Sequence, residues 1–286
     1  MIKKELIKRL VIGSANFTQK YGAHKTILNQ KEINKITDLA KKNNIKKIDT
    51  AESYFKFNKN LIKIDKSFKF ITKVRPDRKW LSLDYCQQKI EEHFNMLNTK
   101  KVECILIHDA EILFSTNGIK IFHNLEALKK KYYNKIGISI YDTNTLNYLT
   151  HNFNISVIQC PYNILDKRIL TTGWFDKLKK KGIETHVRSI FLQGLLVNKL
   201  VYKKKYFKKW RDVFRNWFLF LEDKKISAVD YCLSDILRND FDKIVIGVNN
   251  YSNLNEIINF KKIKYLNKIF NFKKNDLNLI DPRNWK

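Results

Sequence analysis

Asp49, Tyr54, Lys73 and His108 are residue types that combine into a recognisable piece of chemistry. A tyrosine hydroxyl, with an unperturbed pKa of about 10, is a poor acid at neutral pH. A lysine cation beside it stabilises the phenolate and eases release of the proton. Lys73 can supply that charge, Asp49 can pair with Lys73 and offset the cost of a partly buried cation, and His108 can orient a carbonyl oxygen by a hydrogen bond. The set reads as a proton donor for a carbonyl. Reduction of a carbonyl also needs a hydride, which no side chain gives, so a nicotinamide cofactor is implied.

Taken singly, each residue has an ordinary explanation: a helix cap for Asp49, one more surface lysine for Lys73, packing for Tyr54, a hydrogen-bonded core position for His108. Their placement separates them from that background. Short β-branched runs at 10–12, 46–49, 68–73, 102–108, 135–139, 157–161, 183–189 and 243–247 predict strands. Segments of helical period predict helices at 31–43, 58–64, 82–97, 119–131, 143–151, 171–181, 227–237 and 252–260. Eight of each in alternation predict an α/β fold, a single-domain TIM (β/α)8 barrel over 1–286. A doubly wound open sheet is the alternative, but no phosphate-binding GxGxxG follows the first strand. In a barrel the active site lies at the C-terminal ends of the strands. Asp49 ends the second strand, with Tyr54 just beyond it, Lys73 ends the third and His108 the fourth.

A chain of 286 residues with 44% hydrophobic residues excludes general disorder. Its 8 Gly and 3 Pro leave no low-complexity linker on which to divide it. The net charge of +28 points, taken alone, to a polyanionic partner. Nine arginines against 47 lysines, in a chain rich in Asn and Ile, point instead to residues with AT-rich codons, so no specific nucleic-acid partner is expected. Cys86, Cys104, Cys160 and Cys232 form no CxxC pair, which argues against a zinc site or a disulfide framework and fits a cytoplasmic protein. No apolar run approaches the length of a membrane span, so a membrane partner is not expected either.

Six motifs together resemble the aldo-keto reductase family. Ile48-Asp49-Thr50-Ala51-Glu52-Ser53-Tyr54 resembles IDTAxxY, Ile71-Thr72-Lys73 and Leu106-Ile107-His108 resemble the strands with the family's lysine and histidine, and Ile136-Gly137-Ile138-Ser139 resembles IGxS. Gln159 with Tyr162-Asn163 resembles QxxYN, and Gln193-Gly194-Leu195-Leu196 resembles QGLL. The resemblance implies catalytic roles for Asp49, Tyr54, Lys73 and His108, and a cofactor site in which Ser139 and Gln159 hold the carboxamide of the nicotinamide. It implies NADP(H), favoured over NAD(H), and a small-molecule carbonyl substrate, reduced reversibly to an alcohol.

The chain departs from the family pattern at four places. Phe55, Lys56, Phe57 and Asn58 replace GxSE after the tyrosine, and Ile140 stands where an asparagine is common. Arg188-Ser189-Ile190-Phe191 replaces YSPL, putting Arg188 where a tyrosine stacks on the nicotinamide. In the segment resembling IPGxR, Gly247 is kept, Asn249 occupies the position of a cation for the 2′-phosphate, and Glu256 is placed to contact the adenine. Two other readings are a catalytically weak or regulatory barrel, and a basic nucleic-acid-binding protein using the aromatic and basic run 201–220. Arginines 75, 78, 168, 188, 211 and 215 map to the catalytic face and suggest an anionic or sugar-derived carbonyl substrate, unless acids such as Asp77, Asp166 and Asp212 pair with them.

Overall fold

The computed structural model describes residues 2–20, 27–56, 64–200, 204–263 and 276–285. Eight parallel strands, β1 (Leu10–Gly13), β2 (Lys47–Asp49), β3 (Lys69–Val74), β4 (Val102–Ile107), β5 (Tyr133–Ser139), β6 (Val157–Pro161), β7 (Glu184–Arg188) and β8 (Lys243–Gly247), pair in sequence order. β8 returns to pair with β1, so the sheet closes into a barrel and keeps no free edge. All eight predicted strands are present. The helix expected at 58–64 lies outside the described residues except for Ile64, which is irregular.

The expected helices form at Gln30–Lys42, Leu83–Met96, Gly118–Leu128, Leu146–Asn152, Trp174–Lys180, Ala228–Ile236 and Tyr251–Ile258. Local chemistry fixes several of their starts. The side chains of Asn29, Ser82, Ser227 and Asn250 each accept a bond from a backbone N–H of the first turn, satisfying donors that a helix start leaves open. Gln30–Lys42 buries Ile33, Ile36, Leu39 and Ala40 on one face, which is the stripe that packs on the sheet. An additional helix, Ile2–Arg9, precedes β1 and buries Leu6.

Period-two alternation along the strands positions the site. One small buried cluster fills the inside of the barrel: Val11, Ile71, Cys104, Leu106, Val157 and Val245. Two residues further along each strand the same inward face continues as Gly13, Lys73, His108, Gln159 and Gly247. β5 obeys the same rule with Gly137 followed by Ser139. A Cβ at Gly137 would lie 2.3 Å from the Val157 carbonyl oxygen, so β5 and β6 can approach only because no side chain is there. The opposite, strand-N-terminal end holds ion pairs, Lys47 with Glu103 and Lys135 with Glu184.

The aromatic and basic run is a covering helix rather than a stacking platform. Val201–Lys203 lie outside the described residues; Lys205–Trp210 is a 3₁₀ segment leading into the helix Arg211–Asp223. Its rings at Phe207, Trp210, Phe214, Trp217 and Phe218 are buried, while Lys204, Lys205, Lys208, Lys209, Arg211 and Arg215 face solvent. Among the described residues of the run, the remaining rings, Tyr206 and Phe220, are partly buried. Among the described residues no helix is long and apolar enough to cross a membrane.

Candidate active site

The C-terminal ends of the strands open into a cleft of about 320 Å³ whose wall includes Asp49, Tyr54, Lys73 and His108. The four residues predicted from sequence therefore meet. Lys73 Nζ donates to Asp49 Oδ1 at 2.5 Å and to the Thr50 carbonyl at 3.0 Å, and both charged side chains are almost fully buried. The second oxygen of Asp49 accepts from Gln159 Nε2 at 2.7 Å. Asp49 is thus held from two sides. Tyr54, carried on the 3₁₀ turn Glu52–Lys56 after β2, is partly buried, with Lys73 Nζ 5.8 Å from its ring centroid.

His108 meets the tyrosine edge to face, the ring centroids 6.2 Å apart and the planes at 84°. Burial, reinforced by the charges of Lys73, Arg75 and Arg188, pushes the imidazole pKa down to about 3. The ring is therefore neutral near pH 7, with one nitrogen protonated and available as a donor. Burial also lowers the pKa of Lys73, against the pull of Asp49. The arrangement places a hydroxyl, an ammonium and a neutral imidazole at one surface, which is what proton transfer to a carbonyl oxygen requires.

The remaining predicted residues extend the cleft away from the tetrad. Ser139 lines it, and Gln159 is the register partner of Ser139 across β5 and β6. Gln159 itself is fully buried, its nitrogen committed to Asp49, while its Oε1 is buried without a partner. Such an oxygen suits the NH2 of a carboxamide. Gly247 also lines the cleft, and a Cβ there would meet nothing within 4 Å, so the glycine leaves an open cradle. These two features fit the nicotinamide and the phosphate bridge of a dinucleotide. Asn249, Asn253 and Glu256 line the far end, where Asn16 Nδ2 donates to Asn249 Oδ1 at 3.1 Å and Asn253 Oδ1 accepts from the Asn249 N–H at 3.2 Å. Burial raises the pKa of Glu256.

The segment after β7 also lines the cleft. Ser189, Leu192 and Gln193 all have positive φ (62°, 46° and 52°), a conformation that L residues rarely adopt. Asn163 Nδ2 donates to the Ser189 carbonyl at 3.2 Å and braces the first of these turns. Strain concentrated beside a cleft is a mark of function. Arg188, at the end of β7, lines the cleft; its guanidinium donates to the Ile140 carbonyl at 3.1 Å and lies 4.1 Å from the ring centroid of Tyr141.

Two of the other arginines on this face serve local pairs. Arg168 makes a two-pronged bond to Asp166 at 2.9 and 2.7 Å, and Arg215 pairs with Asp212 in the solvent. Asn16 and Tyr141 are among the lining residues outside the predicted set. Both follow strand ends, Asn16 that of β1 and Tyr141 that of β5, so the strand-end rule points to them; what has no local signal is the contact of Tyr141 with Arg188 and Arg283, which come from distant parts of the chain.

Comparison with known proteins gives the family and the fold. The model of the Aldo/keto reductase family matches residues 9–271. A holo-form aldo-keto reductase from Bacillus halodurans superposes with a TM-score of 0.70 at 19% identity, over 90% of this chain and 88% of that one. A glycerol dehydrogenase from Gluconobacter oxydans gives 0.64 at 15% identity, over 90% and 88%. At such identities the likeness is one of fold. No curated protein matches the sequence.

Proposed function

Because the chain belongs to the Aldo/keto reductase family, we propose that it is an oxidoreductase that reduces an aldehyde or ketone to the alcohol, and can run in reverse, with Tyr54 as the proton donor. The observation that carries this reading is the meeting of Tyr54, Lys73, Asp49 and His108 on one wall of the cleft. A bound nicotinamide cofactor supplies the hydride.

The chain's own residues do the rest. The carbonyl oxygen is received between Tyr54 Oη and the neutral imidazole of His108, whose N–H donor fixes its direction. As negative charge develops on that oxygen, Oη releases its proton to it, and the Lys73 ammonium stabilises the phenolate left behind. Asp49 keeps Lys73 charged and in place, and Gln159 keeps Asp49 in place. Ser139 and the buried Oε1 of Gln159 would hold the carboxamide, Gly247 would admit the phosphates, Arg188 and Ser189 would bound the nicotinamide end, and Asn249 and Glu256 would bound the adenosine end.

NADP(H) is favoured over NAD(H), by likeness to the family. Among the described residues, the polar groups lining the far end are amides and one carboxylate, so the margin between the two is expected to be narrow. The cleft end of the barrel, with polar groups converging on it, supports a small-molecule substrate.

The test is turnover of a panel of aldehydes by the purified full chain, followed by the absorbance of NADPH or NADH. Tyr54→Phe should lower turnover by about a hundredfold to ten-thousandfold while nucleotide binding, read by fluorescence titration, persists. A Tyr54→Phe variant that works at the wild-type rate overturns the assignment.

A further inference from the structure

Arg188 lines the same cleft as Tyr54, His108, Ser139 and Tyr141. Resting on the oxidoreductase reading above, we propose that the substrate carries an oxyanion, a carboxylate or a phosphate, a few bonds from its carbonyl, and that Arg188 receives it. The charges around the cleft support a specific place for that anion. Lys73 and Asp49 form a buried pair, and Glu256 stands at the other end among Asn249 and Asn253. Among the described residues that line the cleft, Arg188 is the arginine or lysine outside the tetrad.

Its guanidinium is also held in a fixed pose. Nη2 donates to the Ile140 carbonyl at 3.1 Å, Nη1 lies 3.4 Å from Ser189 Oγ, and the group rests on the Tyr141 ring. Arg283 lies 3.8 Å from the centroid of the same ring and is anchored by a two-pronged bond to Asp281. Tyr141 is thus steadied by the segment Pro282–Asn284, which limits the freedom that Arg188 would lose on binding. A planar fork of N–H donors matches the two oxygens of a carboxylate or phosphate, whereas an ammonium acts as a point charge. In a chain with nine arginines and 47 lysines, a guanidinium at this position is not a by-product of lysine-rich composition. The field of Arg188 reaches the tetrad, since it contributes to lowering the proton affinity of both His108 and Lys73. The same field draws an anionic carbonyl compound toward Tyr54.

The experiment compares matched aldehydes: 4-oxobutanoate against butanal, and glyceraldehyde 3-phosphate against glyceraldehyde, each with saturating NADPH and with NADH. Wild type should favour the anionic member of at least one pair by about tenfold or more in kcat/KM, the value of one charge-assisted contact. Arg188→Gln should collapse that ratio toward one, and added salt should lower it. If Arg188→Gln fails to fold, Arg188→Lys takes its place, and loss of the fork should lower the ratio by about threefold or more. Equal turnover within both pairs, or a preference that survives the substitution, overturns the inference and leaves the oxidoreductase reading standing. Turnover of no aldehyde beyond that of Tyr54→Phe overturns both.

Discussion

The Lys73 ammonium and the Asp49 carboxylate lie 2.5 Å apart with side-chain exposures of only 2% and 6%. Breaking such a pair leaves one charge in a place where water cannot reach it, which typically costs about 3–5 kcal/mol. Lys73→Met is expected to lose that much stability in urea titration. The double variant Lys73→Met, Asp49→Asn should recover part of the loss, because the remaining amide carries no charge. A single variant as stable as wild type would mean that the pair is hydrated.

The state of His108 sets the pH dependence of catalysis. Its pKa is pushed from 6.5 to about 3, chiefly by burial and further by the neighbouring cations. The donor nitrogen is therefore in its working, neutral form throughout the range above about pH 5. kcat/KM is expected to be level from pH 5 to 7 and to fall on the alkaline side before 10.5, the ordinary value of lysine, since burial lowers Lys73. An acid limb centred near 6.5 would show that His108 titrates normally and is open to solvent.

Much of this site could be read before the fold was seen, because parallel strands in a barrel all end on one face. That rule singles out Asp49, Lys73 and His108, and the alternation that aligns Ile71 with Lys73 and Leu106 with His108 is visible in the sequence. Other parts depend on contacts between segments far apart in the chain. Nothing near Tyr141 foretells that two guanidiniums will rest against its ring, and the amide of Gln159 turns to Asp49 only because β2 and β6 face each other across the barrel. The helix Ile2–Arg9 was missed for a local reason: with Lys at positions 3, 4 and 8 and few apolar residues, its amphipathic pattern is too short to stand out.

The far end of the cleft offers a gain-of-function test. Asn249 Oδ1 accepts from Asn16, and Asn253 and Glu256 lie beside it on the cleft wall. Asn249→Arg would add a planar cation where a 2′-phosphate is expected, and a charge-assisted contact of this kind is worth about tenfold in affinity. NADPH should bind about tenfold more tightly to the variant, with NADH changed far less, in a fluorescence titration of both nucleotides. Equal tightening of both would place Asn249 away from the 2′ position.

His93, on the helix Leu83–Met96, links the acid stability of the fold to one buried ring. Its Nε2 lies 2.6 Å from Thr72 Oγ1, next to Lys73 in β3, and burial lowers its pKa to about 4. The folded pKa is below the unfolded value of 6.5, so the unfolded chain takes up the proton first. The contribution of His93 is complete above about pH 6.5 and is lost as the pH falls toward 4. Chemical denaturation at pH 7, 6 and 5 should show stability declining in wild type and declining less in His93→Gln. Parallel declines would assign the acid sensitivity elsewhere.

Gly13 and Gly247 are register partners across the seam where β1 meets β8, and both line the cleft. This part of the cleft floor is therefore shared by two strands that lie at opposite ends of the barrel's sequence. Such a pairing is among the most non-local in the fold, so loop-closure entropy makes it slow to form. A nucleotide resting on both glycines would act as a clasp on that seam, raising the free energy of its opening by mass action. Amide hydrogens of β1 and β8 would then exchange more slowly with solvent in proportion to cofactor occupancy, and the seam's resistance to opening would follow the supply of nucleotide in the surrounding solution.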